Sequence, residues 1–147
     1  MELSCKSEYA LLALLELTQR YKEGQVIQIK EIAAQQAIPD RYLEQLLATL
    51  RRQGLVKSQR GAKGGYLLAR APWQITVLDV IQAIEGDDIF ATKRRDSDAP
   101  PTPEQETLRS MWQDMQSLMI TQLQKTSLQD LFDQLAQRSR GAIMYYI

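Results

Sequence analysis

Apolar residues recur along this chain in blocks whose spacing predicts helices, broken by short extended runs and turns. Leu11, Leu14 and Leu15, with Ala10 and Leu17, predict a helix over 7–21 that Gly24 ends. Val26-Ile27-Gln28 suits a short strand or an extended lead-in, and 30–36 a brief second helix closed before Pro39. Asp40 is the expected N-cap of a third helix reaching about Gln53, with Gly54 at the C′ position. The faces of this helix separate. Leu43, Leu46, Leu47 and Leu50 follow an i, i+3, i+4, i+7 pattern and face a core, while Arg41, Glu44, Gln45, Ala48 and Arg52 line the opposite side. Two short strands, 55–58 and 66–69, then flank the loop Gln59-Arg60-Gly61-Ala62-Lys63-Gly64-Gly65.

Further along, Thr76 caps a helix over 77–85, with Val77, Val80, Ile81 and Ile84 apolar and Gly86 as its stop. Residues 87–103, with Lys93-Arg94-Arg95 and three prolines, read as a linker loop; a basic loop touching a polyanion is the other reading. Thr102, Pro103 and Gln105 form a helix start with proline at N1 and a capping box. Leu108, Met111, Trp112, Met115, Leu118, Met119 and Leu123 make a stripe about four turns long, roughly 24 Å. It has few local partners, so pairing with the same helix of a second chain is the economical way to bury it. Its three methionines would also suit a soft metal or haem, but adaptable packing is the simpler use. A last helix starts at Ser127 and runs to about Gln137, with Leu128, Leu131, Phe132 and Leu135 inward. The segment 138–147 is then an apolar aromatic tail that packs on the domain or meets a partner.

Two helices with a tight turn followed by a basic hairpin is the order of a winged helix-turn-helix. The expected fold is mainly α with a small β-hairpin wing: a DNA-binding domain over 1–86, the linker 87–103, and dimerisation and packing helices over 104–137 before the tail. The outer face of the third helix can lie in a major groove while Arg60 and Lys63 on the wing reach phosphates or the minor groove.

The charge distribution sharpens this. The 147 residues carry 18 Lys+Arg and 18 Asp+Glu, a net of zero, yet residues 1–70 hold +4 and residues 71–147 hold −4. Within 41–70, Arg41, Arg51, Arg52, Lys57, Arg60, Lys63 and Arg70 face only Glu44. Such asymmetry marks a half that meets a polyanion, or else a solvated basic face.

Composition removes other classes. Without His, no Ser-His or Cys-His nucleophile pair can be built. A single Cys excludes an intramolecular disulfide and a structural zinc site. No convergent pair of carboxylates suggests an enzyme. The longest apolar run, Tyr9 to Leu15, is seven residues, far short of a membrane span of about 20. With acidic Glu2 and no apolar stretch before Cys5, the start does not read as a signal peptide. A cytoplasmic protein is expected. Cys5 itself is either a small semi-buried packing residue or a redox-sensitive thiol.

Tyr42-Leu43-Glu44-Gln45-Leu46, Leu50-Arg51, Gly54-Leu55-Val56, Arg60-Gly61 and Gly64-Gly65-Tyr66-Leu67-Leu68 together resemble the Rrf-type winged-helix regulators, with Lys6, Tyr9 and Ala10 in support. The likeness is close over about 1–86 and looser over 106–136. It implies a homodimeric transcriptional regulator, with repression the expected sign, paired through the long helix on an imperfect palindrome near promoters. The DNA contacts it implies are Arg41, Tyr42, Glu44, Gln45, Arg51 and Arg52 on the helix and Arg60, Gly61 and Lys63 on the wing. Ala62 and Lys63 depart from the Pro-Gly more common at the wing tip. Cluster-binding members carry three Cys before the dimer helix; here 87–107 contains none, and Arg109 sits near where a His can serve. The resemblance thus implies a member without an iron–sulfur cluster. Gly61-Ala62, Thr126-Ser127-Leu128, Asp130-Leu131 and the terminal Met144-Tyr145-Tyr146-Ile147 further resemble the cysteine-metabolism branch. That branch implies cysteine synthase as a partner, met by the C-terminal Ile147 and its carboxylate. Two other readings stand beside it: a winged helix that binds proteins and not DNA, and a redox sensor acting through Cys5.

Overall fold

The first helix starts where a hydroxyl closes its first turn. Ser4 Oγ accepts from the Ser7 amide at 3.1 Å, and α1 runs over Cys5–Gln19, two residues earlier than the apolar spacing alone suggests. The computed structural model describes residues 2–91 and 98–145, with side chains to 142. Lys93, Arg94, Arg95, Tyr146 and Ile147 lie outside the described residues.

α1 buries Ala10, Leu11, Ala13, Leu14 and Leu17 as the centre of the core. α2 (Ile29–Gln36) adds Ile32 and Ala33 and ends on Ala37, left-handed at φ 52°. α3 (Asp40–Arg52) follows after Ile38-Pro39, and its four leucines are buried as its periodicity requires. One detail differs from the sequence reading: Asp40 is not the N-cap. Pro39 holds that place, without a side-chain cap, and Asp40 is the first helical residue. Its charge still sits well there, against the positive end of the helix.

The end of α3 is a Schellman motif. Gly54 at φ 77° donates to the Arg51 carbonyl at 3.0 Å, and Leu55 to that of Leu50 at 2.9 Å. The chain thereby turns straight into β1 (Val56–Gln59), which pairs antiparallel with β2 (Gly65–Leu68), Val56 opposite Leu68 and Gln59 opposite Gly65. Ile27 adds a single bridge outside that ladder by exchanging both backbone bonds with Tyr66, each at 2.9 Å. The hairpin is therefore tied to the start of α2.

After a 3₁₀ turn (Pro72–Gln74) comes α4 (Val77–Glu85), opened by a capping box between Thr76 and Asp79 and stopped at Gly86. Glu85 accepts hydrogen bonds from Ser4 and Ser7, joining the end of α4 to the start of α1. A second 3₁₀ turn spans Asp87–Phe90. α5 (Pro103–Lys125) opens with the Thr102–Gln105 capping box.

α6 spans Leu128–Tyr145, well past the expected end near Gln137. Gly141 does not stop it, because it is not among the left-handed glycines. A lone helical glycine costs only about 1 kcal/mol against alanine. Residues 138–145 are thus helix and not a separate extended tail. Among the described residues no helix is long and apolar enough to cross a membrane.

Candidate nucleic-acid interface

The Schellman turn fixes how the third helix and the wing meet, since one residue, Leu55, separates the left-handed glycine from β1. On the solvent side of α3, Arg41, Glu44 and Gln45 are exposed, as are Arg51 and Arg52 in its last turn. Those two arginines also complement the negative end of the helix. Arg51 donates to Ser58 Oγ on β1 at 3.3 Å, and Arg52 to Thr49 Oγ1 at 3.1 Å. Tyr42 stands apart from this set. It is half-buried, its ring edge-on to Tyr9 with centroids 5.6 Å apart, so its first role is packing.

At the wing tip, Gly64 donates to the Gly61 carbonyl at 2.9 Å and closes a turn that holds Ala62 and Lys63. Arg60, Gly61 and Lys63 are all exposed. Between the wing, the end of α3 and the start of α2 runs an open groove of about 450 Å³. Lys30, Arg51 and Arg60 contribute cations to it, and among the described residues no Asp or Glu lines it. Gln28 and Lys30 are not singled out by the sequence, where Gln28 ends a short strand or extended lead-in and Lys30 opens a brief helix. Only the Ile27–Tyr66 bridge places them beside the wing.

Of the stripe on α5, Leu108, Met111, Trp112, Met115 and Leu118 are 48–69% exposed. Met119 and Leu123 are half-buried, and Leu123 packs on the core of its own chain. Cys5 is exposed in the first turn of α1, not semi-buried as a packing role would have it. The side chains of Met144 and Tyr145 fall outside the described residues, as do Tyr146 and Ile147.

The Rrf2 family profile, described as an iron-dependent transcriptional regulator, matches residues 3–134. The chain belongs to the Rrf2 family. It is 35% identical to the HTH-type transcriptional regulator CymR of Bacillus subtilis (strain 168) over 147 residues, which is 100% of each chain. The solved structure of CymR, the global cysteine regulator of B. subtilis, superposes with a TM-score of 0.78 at 34% identity, over 90% of this chain and 97% of that one. The structure of T. potens IscR does so with a TM-score of 0.74 at 35% identity, over 92% and 88%. The protein is an Rrf2-family, helix-turn-helix DNA-binding transcriptional regulator with the winged-helix fold. In that fold α2 and α3 are the helix-turn-helix pair and β1–β2 is the wing.

Proposed function

We propose that this Rrf2 regulator works in the cytoplasm as a homodimer, represses promoters by binding an imperfect palindrome, and controls sulfur and cysteine metabolism without catalysis. The observation that carries DNA binding is the continuous cationic surface from Arg51 at the end of α3, across the groove, to Arg60 on the wing. Pairing through α5 is supported by three turns of exposed apolar side chains in a single chain. The sulfur assignment leans on full-length similarity to a protein described as a global cysteine regulator. Selection of bound fragments from the source genome is expected to recover two-fold symmetric sites beside sulfur and cysteine genes. Enrichment with no such sites would overturn it.

The reading includes an Rrf2 protein that holds no iron–sulfur cluster, although the family description names iron. The chain has one Cys and no His, and no group of three or more His, Cys, Asp or Glu able to hold a metal occurs among the described residues. These donors do not fit a thiolate-held cluster. Anaerobic purification is expected to give colourless protein; a stoichiometric iron chromophore would refute this part. The segment Met144–Ile147 is proposed to contact cysteine synthase, tested by deleting Ile147, where unchanged affinity removes the idea.

A second reading makes Cys5 a redox switch, favoured by its exposure in the first turn of α1. Cys5→Ser protein whose DNA binding still responds to oxidant would exclude it.

A further inference from the structure

The groove beside the wing has a composition that base reading does not explain. Its lining includes Lys30, Arg51 and Arg60 and, among the described residues, no carboxylate. The nearest acidic residue in sequence, Glu31, is engaged by Arg20, the C-cap residue of α1, and does not neutralise Lys30. Gln28, the N-cap residue of α2, also lines the groove and makes no side-chain capping bond. By contrast a Ser or Thr hydroxyl closes the first turn of α1, α4, α5 and α6. The amides of Ile29 and Lys30, the first two of α2, have no intrahelical acceptor, as at any helix start, and both residues line the groove. Backbone bonds set the groove's width. Ile27 and Tyr66 exchange N–H···O bonds at 2.9 Å in both directions, which holds the wing at a constant distance from α2.

Docking geometry supplies the occupant. With α3 in a major groove and the wing in the adjacent minor groove, the sugar-phosphate strand dividing those two grooves must pass between helix and wing. The groove lies on that line. We propose that it seats a phosphodiester of the DNA backbone, with Lys30 and Arg51 as its ligands and the open amides of α2 as further donors. This rests on the DNA-binding reading above and extends it to residues outside α3. Arg51 then serves to hold the strand and not to read bases. Its 3.3 Å bond to Ser58 is long enough to be exchanged for a phosphate oxygen. Seating one strand here fixes how deeply α3 enters the major groove, so the contact positions the protein without carrying sequence information.

The test uses full-length protein and fluorescence anisotropy on two duplexes, one recovered by genomic selection and one unrelated, across a range of KCl. Lys30→Ala is expected to weaken both by a similar factor, about tenfold, and to lower the slope of log affinity against log salt by about one per bound subunit. Gln28→Asp is expected to raise the thermal midpoint, because its carboxylate closes the first turn of α2. It should weaken both duplexes as well, because the same carboxylate takes the phosphate's place. Stability and affinity moving in opposite directions is a result that a merely structural role does not produce. Wild-type affinity and salt slope in Lys30→Ala overturn the proposal, as does a loss confined to the selected duplex. A thermal shift on adding millimolar inorganic phosphate, abolished in Lys30→Ala while DNA affinity is kept, reassigns the groove to a small anion and also overturns it. Wild-type protein that binds neither duplex overturns the DNA-binding reading itself, whereas the groove alone falls when wild type binds and Lys30→Ala matches it.

Discussion

A Cβ on Gly65 would lie 2.6 Å from the carbonyl oxygen of Ile27 and 2.7 Å from its carbon, so the wing strand and the lead-in to α2 touch backbone to backbone. Gly61 at the wing tip differs: nothing stands within 4 Å of its Cβ position, and its φ of 108° is what favours glycine there. Gly65→Ala is therefore expected to lower stability by about 1–3 kcal/mol, read from urea unfolding, because rigid main chain must move. Gly61→Ala should cost less and act through the shape of the turn. Among the exposed cations, Arg60→Ala is expected to lose about 1–3 kcal/mol on a cognate duplex. Lys63→Ala should weaken cognate and unrelated duplexes alike. Competition binding on both duplexes distinguishes the two, and equal behaviour of the variants would refute the division of labour between them.

Between elements, the informative junction is the turn from α5 to α6. Val77 donates to the Thr126 carbonyl and Leu128 to that of Ile75, each at 2.9 Å, and Thr76 bridges Ser127. Leu128 is fully buried in the core that α1 and α3 build. The α5–α6 hairpin is thereby stitched into the DNA-binding domain and not hung from it by a loop. Leu128→Ala is expected to destabilise the whole chain by about 2–5 kcal/mol, as one cooperative transition in chemical unfolding. Two separate transitions would show that the hairpin folds independently. A gentler change, Val77→Pro, removes one of the stitching amides at a helix position that accepts proline. Selection from random duplexes should then recover half-sites with a wider range of spacings than wild type selects.

For the whole molecule, the zero net charge conceals a division of labour. The +4 half carries α3 and the wing, and the −4 half carries α5 and α6. The negative half repels the duplex, which favours one orientation on DNA. The exposed stripe on α5 is the surface through which we expect two copies to pair. Met115 and Leu118 are 56% and 69% exposed, so they can be changed with little effect on the monomer fold. Met115→Glu with Leu118→Glu is expected to give folded monomers by sedimentation and to reduce cognate DNA affinity steeply, since each half-site would bind alone. A dimer that survives both changes would place the interface elsewhere.

Local rules were enough to read most of the elements. The four leucines of α3, the capping boxes at Thr76 and Thr102 and the glycine after α3 each depend on neighbours within a few residues, and such patterns are written in the sequence. The exposed contact candidates Arg41, Glu44 and Gln45 follow from the same periodicity, as the face left over once the leucines are buried, and Arg60 and Lys63 from the basic glycine-rich loop between the two strands. Three things depended on contacts between distant residues. The groove and its Gln28 and Lys30 exist because Ile27 pairs with Tyr66, 39 positions away. Leu123 and Leu128 join the core built by α1 and α3 because α5 and α6 return to the first domain. The packing of Tyr42 depends on Tyr9, which no helical period connects to it. The sequence by itself determined which stretches are helix and which face of each is apolar, since those follow from periodicity and caps. Only the tertiary structure decided which of the polar residues stand together, because long-range backbone pairing leaves no local trace.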